Sequence, residues 1–189
     1  MNPKVSPFSI LIVDDNYEVV SLLKEYLKDE CEIIDGAKDG DEALEKYTKF
    51  RYDLVITDLS MPGLAGIELI KRIKILGNLT EFIIITGYAS LDTAIDAVKL
   101  GAFDYILKPF RLDELKVVVK NAKDKINLKK LNLELFSKLK KLYEEIEKYK
   151  GVEKKEGHEE RSFPSTDTEH LIDEIRKLEE LKRGRVPVD

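Results

Sequence analysis

Five short runs of aliphatic residues recur between residues 8 and 126, and an amphipathic stretch follows each one. Residues 8–13 form the first and stop at Asp14-Asp15. Residues 31–34 are a weaker second. Residues 53–57 end at Asp58, residues 81–85 at Thr86, and residues 103–107 at Lys108-Pro109. Runs of this length, rich in Ile and Val and bounded by polar or turn residues, read as buried strands. The intervening stretches carry helical spacing: Val19, Leu22, Leu23, Tyr26 and Leu27; Ala43, Leu44 and Tyr47; Ile67, Leu69, Ile70 and Ile73; Ala94, Ile95, Val98 and Leu100, with Gly101 as a stop; and Leu112, Leu115, Val119, Ala122 and Ile126. Strict strand–helix alternation predicts an α/β fold with a parallel sheet covered on both faces. The expected strand order is the doubly wound, flavodoxin-like 2-1-3-4-5; alternation by itself leaves a split or Rossmann order open.

Four of the runs end in reactive residue types. In a parallel α/β sheet the strand C-termini share one edge, and ligands bind in the crevice there. Asp14, Asp15, Asp58, Thr86 and Lys108 are therefore expected to converge. Packed carboxylates repel and need a cation or an ammonium to stay ionised. Hard oxygen donors with water completing the shell suit Mg²⁺. A metal, an ammonium and a hydroxyl around one carboxylate make a cradle for a phosphoryl group, with the carboxylate as nucleophile.

The stretches Leu11-Ile12-Val13-Asp14-Asp15, Asp53-Leu54-Val55-Ile56-Thr57-Asp58-Leu59-Ser60-Met61-Pro62-Gly63, Ile85-Thr86-Gly87-Tyr88 and Gly101-Ala102-Phe103-Asp104-Tyr105-Ile106-Leu107-Lys108-Pro109-Phe110 together resemble the receiver domains of bacterial two-component response regulators. The later stretches look most like receivers of the nitrogen-regulatory type. The resemblance spans residues 8–126. It implies that Asp58 is the phospho-acceptor, loaded by a sensor histidine kinase. It implies that Asp14, Asp15, Asp58 and the main-chain carbonyl of Ser60 hold Mg²⁺, and that Thr86 and Lys108 grip the phosphoryl oxygens. Tyr105 matches the aromatic that moves inward with Thr86, and Lys108–Pro109 matches a position usually cis. Ala65 departs from the pattern, since many members carry Asp there, and this is expected to alter the loop before the third helix.

Beyond residue 126 the helical pattern continues. Leu128, Leu135, Leu142 and Tyr149 recur every seven residues, with Asn132, Leu139 and Ile146 at the complementary positions. About three such repeats make a coiled-coil seam, and a polar Asn at one core position can set register. The expected organisation is a receiver at 1–126, a helical extension at 127–150, a flexible linker at 151–166 and a short amphipathic helix at 167–184. The linker expectation rests on Gly151, Gly157, Pro164 and mixed charge; the last helix opens on the capping-box pattern of Thr166 and Glu169.

Composition narrows the function classes. The 189 residues include a single cysteine, Cys31, which excludes an internal disulfide framework and a thiolate zinc site. The formal net charge of −5 lacks the basic bias of a nucleic-acid binder. No apolar run approaches the roughly 18 residues of a membrane span, and the N-terminus does not read as a signal peptide. A cytoplasmic protein is expected. No Walker loop or helix-turn-helix is recognised after the receiver. A phosphorylated interaction switch, with a homodimer through the extended fifth helix, is the leading expectation. The alternative is a constitutive coiled-coil adaptor that uses the receiver for docking. An aspartyl-phosphate hydrolase is disfavoured because Ser60 stands where a second Asp is usual in such enzymes. Only self-phosphorylation and self-dephosphorylation on Asp58 are expected.

Overall fold

The computed structural model describes residues 7–153 apart from 78 and 89. Five strands, β1 (Ser9–Val13), β2 (Ile33–Ala37), β3 (Leu54–Thr57), β4 (Glu81–Thr86) and β5 (Asp104–Leu107), form one sheet in the order β2-β1-β3-β4-β5. Every neighbouring pair is parallel. Five helices alternate with them: α1 (Tyr17–Leu27), α2 (Gly40–Lys49), α3 (Gly66–Leu76), α4 (Leu91–Lys99) and α5 (Leu112–Glu153). The doubly wound order expected from the sequence is the one found.

Strand side chains alternate between the two faces. Leu11, Val13, Val55, Phe82 and Ile84 join Ala43, Tyr47, Leu69, Ile70 and Ile73 of α2 and α3 in one core. Ile10, Ile12, Leu54, Ile56, Ile83 and Ile85 join Val20, Leu23 and Leu27 of α1 and Leu115, Val119, Ala122 and Ile126 of α5 in the other. Burial on both faces explains why the strand sequences read as continuous apolar runs.

Helix starts are set by capping. Asn16 accepts from the N–H groups of Glu18 and Val19, Asp39 from Glu42, and Ser90 forms a reciprocal capping box with Thr93. Ala65 caps α3 with no side-chain bond, the local consequence of the departure noted in the sequence. Two local expectations shift. β2 lies at Ile33–Ala37 rather than 31–34, because the edge strand continues through Asp35 and Gly36. The apolar stripe of α4 meets the core only in part: Leu100 packs against it, but Val98 is 78% and Ile95 40% exposed, and Ala97 is the buried residue.

The chain divides after Lys138 into two units. In the second, the described residues belong to the last turns of α5, which takes in the first three positions of the expected linker before ending at Glu153. Residues 154–166 of that linker, and the helix expected at 167–184, lie outside the described residues.

Candidate functional site

Parallel strands deliver their C-terminal residues to one edge. Asp14 follows β1, Asp58 follows β3, Thr86 closes β4 and Lys108 follows β5. Asp14, Asp58 and Thr86 are buried, at 4%, 7% and 0% exposure. The backbone holds them in place. The Asp58 N–H donates to the Val13 carbonyl at 2.9 Å, the Asp14 N–H to Ala37 at 3.2 Å, and the Lys108 N–H to Thr86 at 2.9 Å. The Lys108–Pro109 peptide is cis.

The side chains then meet. The Lys108 ammonium donates to Asp14 Oδ2 at 2.5 Å and to Asp58 Oδ2 at 2.7 Å. The Ser60 N–H donates to Asp58 Oδ1 at 3.0 Å, which brings the Ser60 peptide to the site. The Thr86 hydroxyl accepts from the Tyr88 N–H at 3.2 Å. Burial works to raise the Asp58 carboxyl. Lys108, the Ser60 N–H and the Thr86 hydroxyl outweigh it and hold Asp58 below the ordinary carboxylate value. Burial likewise works to lower the Lys108 ammonium, but Asp14 and Asp58 raise it above its usual value. At neutral pH Asp58 is therefore an anion and Lys108 a cation.

Asp15 is exposed beside this pair. Asp14, Asp15 and Asp58 can each bring a carboxylate oxygen within 4.8 Å of the others. Three carboxylates face one ammonium, so the site carries excess negative charge. Two buried and one solvent-facing oxygen donor form a set that fits a hard divalent cation such as Mg²⁺. The sequence-expected residues Asp14, Asp15, Asp58, Ser60, Thr86 and Lys108 all lie at this edge.

Tyr105 stands apart, half-buried on β5, with its hydroxyl 3.0 Å from Thr93 Oγ1 of α4. Thr93 went unnoticed in the sequence. It serves the α4 capping box and the Tyr105 contact together. The S-x-x-T spacing from Ser90 was the available signal. Gly66 was also missed: a Cβ there would lie 2.1 Å from the Asp58 carbonyl oxygen, so only glycine lets α3 start against the Asp58 loop.

The family model for the response regulator receiver domain matches residues 10–120. Sporulation initiation phosphotransferase F of Bacillus subtilis is 41% identical over 111 residues, 59% of this chain and 90% of that protein. Regulatory protein AtoC of Escherichia coli is 36% identical over 121 residues, 64% of this chain but 26% of that protein. A putative NtrX-like response regulator of Rickettsia felis is 35% identical over 137 residues, 71% of this chain and 29% of that protein. The chain thus spans only about a quarter of the length of these two longer regulators. Among solved structures, a response regulator receiver domain protein from Clostridium thermocellum matches with a TM-score of 0.58 and 35% identity, covering 66% of this chain and 98% of that one. Residues 10–120, which hold the whole strand-end cluster, place the chain in the response regulator receiver domain family.

Proposed function

We propose that Asp58 accepts a phosphoryl group from a sensor histidine kinase, and that this charge change switches the partners of the chain. The observation that carries the reading is the buried Asp58 carboxylate held between the Lys108 ammonium and the Ser60 N–H. In the transfer, an Asp58 oxygen attacks phosphorus, the P–N bond to the donor histidine breaks, and the electron pair leaves with the imidazole nitrogen. Asp14, Asp15, Asp58 and the Ser60 carbonyl would hold Mg²⁺. When bound, that ion supplies positive charge against the developing charge on the phosphoryl oxygens. Lys108 and Thr86 then grip the phosphoryl oxygens. Drawing Thr86 toward the phosphoryl group opens space for Tyr105, whose hydroxyl gives up Thr93, and the face made by α4, β5 and α5 is remodelled. That step is the two-state element a phosphorylation switch needs.

The long α5 is the proposed output arm, coupling Asp58 to dimerisation. Its half-exposed Leu128, Leu135 and Leu142 also suit the adaptor reading, in which the seam is engaged whatever the state of Asp58. Intact-mass spectrometry and light scattering with a small phosphodonor and Mg²⁺ separate these readings. A phosphoryl adduct that is lost in Asp58→Asn, with a change in molecular mass, is expected for the switch. An adduct without a change in mass favours the adaptor. No adduct on the wild-type protein overturns the phospho-acceptor assignment.

A further inference from the structure

Leu115, Val119, Ala122 and Ile126 form the face of α5 that is fully buried against the sheet. The apolar stripe that follows is out of phase with them. Leu128, Leu135, Leu139, Leu142 and Ile146 are each about half exposed. Leu128 sits two residues after Ile126, and at 3.6 residues per turn that is a rotation of about 200°. Leu128 and Leu135 thus point away from the face that α5 buries, and aliphatic residues repeated over several turns at such exposure mark an association surface.

We propose that this stripe is the interface between two copies of the chain, and that the two α5 helices pair parallel, in register and two-stranded from Leu128 onward, with Asn132 facing Asn132 of the second copy. The proposal rests on the reading of α5 as a dimerising output arm and adds the geometry of the pair.

Three observations select that geometry. The first is the core composition. Leucine holds the d positions 128, 135 and 142, while Asn132, Leu139 and Ile146 hold the a positions. Leucine at d with one buried Asn at a favours two strands in fixed register. Two facing Asn132 amides can hydrogen-bond each other, which a one-heptad slip would prevent.

The second is the flanking positions. A parallel pair sets each g residue against the e residue five positions on in its partner helix. That brings Leu131 to Phe136 and the Lys138 stem to the Tyr143 ring. An antiparallel pair centred between 139 and 142 instead sets Asn132 against position 149, so the two Asn132 amides never meet. Hydrogen bonding between the facing Asn132 amides favours the parallel pair.

The third is where the seam begins. Lys125 and Lys129 bond Glu81 of β4, at 3.2 and 2.5 Å. Position 125 would be the preceding a position, and it is committed to the receiver's own sheet. The interface therefore opens at Leu128.

Cysteine cross-linking of the full chain tests this. In a Cys31→Ala background, Leu135→Cys and Leu142→Cys place thiols at d, and Ser137→Cys places one on the outer f position. Disulfides need Cα atoms within about 7 Å, a condition that identical d positions meet only in a parallel, in-register pair. Mild oxidation with and without beryllofluoride, a phosphoryl mimic, is expected to convert most of both d variants to covalent dimer in at least one state. Ser137→Cys should stay several-fold behind. Cross-linking at neither d position in either state, or equal cross-linking at Ser137, overturns the proposal. Cross-links at both d positions that ignore beryllofluoride keep the interface and overturn its coupling to Asp58. For Asn132→Leu, light scattering is expected to show species larger than a dimer; a pure dimer overturns the role assigned to Asn132.

Discussion

The same physical term, burial of an ionisable group, has opposite outcomes at two residues. At Asp58 burial works to raise the carboxyl, yet Lys108, Ser60 and Thr86 reverse it and keep an anion available as nucleophile. Cys31 has no such support. It is half-buried, with its thiol directed to the Leu27 carbonyl at 3.6 Å. Burial, reinforced by the negative charge of Glu32, pushes that thiol up to about 11. At pH 8 its thiolate fraction should fall about two orders of magnitude below that of an ordinary thiol near 8.5. The greater nucleophilicity of a more basic thiolate returns about one of those orders. Native Cys31 is therefore expected to alkylate with iodoacetamide about tenfold more slowly at pH 8 than in urea. Its rate should keep climbing to pH 11, where that of the unfolded chain has levelled off. Equal native and unfolded rates at pH 8 would remove the shift.

At the scale of elements, α3 starts without the side-chain cap that α1, α2 and α4 have. Ala65 occupies an extended cap conformation, φ −65° and ψ 151°, but offers no oxygen to the first-turn N–H groups. Ala65→Ser supplies one without changing the backbone region, and should stabilise the fold by about 0.5–2 kcal/mol. Urea unfolding measures this directly, and an unchanged midpoint would mean that the loop after Asp58 cannot deliver the hydroxyl. The uncapped start could be read from Ala65 itself. The strand order could not be read from alternation, because alternation says which elements are strands and leaves their neighbours open. The order 2-1-3-4-5 was the expected one of several that alternation allows, and the sheet decides for it. α4 shows where periodicity runs out. Ala94, Ile95, Val98 and Leu100 have helical spacing, but spacing does not say which face meets the sheet, and small Ala97 is the residue α4 buries. Thr93 escaped notice because its contact with Tyr105 joins two elements that only the folded sheet brings together.

Over the whole molecule the two edges of the sheet divide the work. The C-terminal edge gathers acids around one lysine for chemistry. At the N-terminal edge, lysines of α5 surround acids. Lys125 and Lys129 bond Glu81, and Lys130 bonds Asp53 at 2.6 Å. These pairs were not legible in the sequence, where Asp53 and Glu81 read as strand starts and nothing ties them to lysines 44 or more residues away. They set the rotation of α5, and with it the direction in which Leu128 and Leu135 point. Their energetics are lopsided. The Glu81 side chain is 4% exposed, whereas Lys125 and Lys129 are 45% and 40% exposed. Removing the lysines strands a buried carboxylate; removing the carboxylate frees two ammoniums that already reach water. Lys125→Ala combined with Lys129→Ala is expected to cost roughly 1–3 kcal/mol, below the value for a fully buried pair because solvent screens the lysines. Glu81→Gln, which keeps the shape and can still hydrogen-bond, should cost less than half as much. Urea midpoints of the three proteins, taken at a concentration low enough to keep the chains apart, decide the matter. A Glu81→Gln loss equal to or greater than that of the double lysine variant would mean that α5 is held by its buried face of Leu115, Val119, Ala122 and Ile126 rather than by these ion pairs.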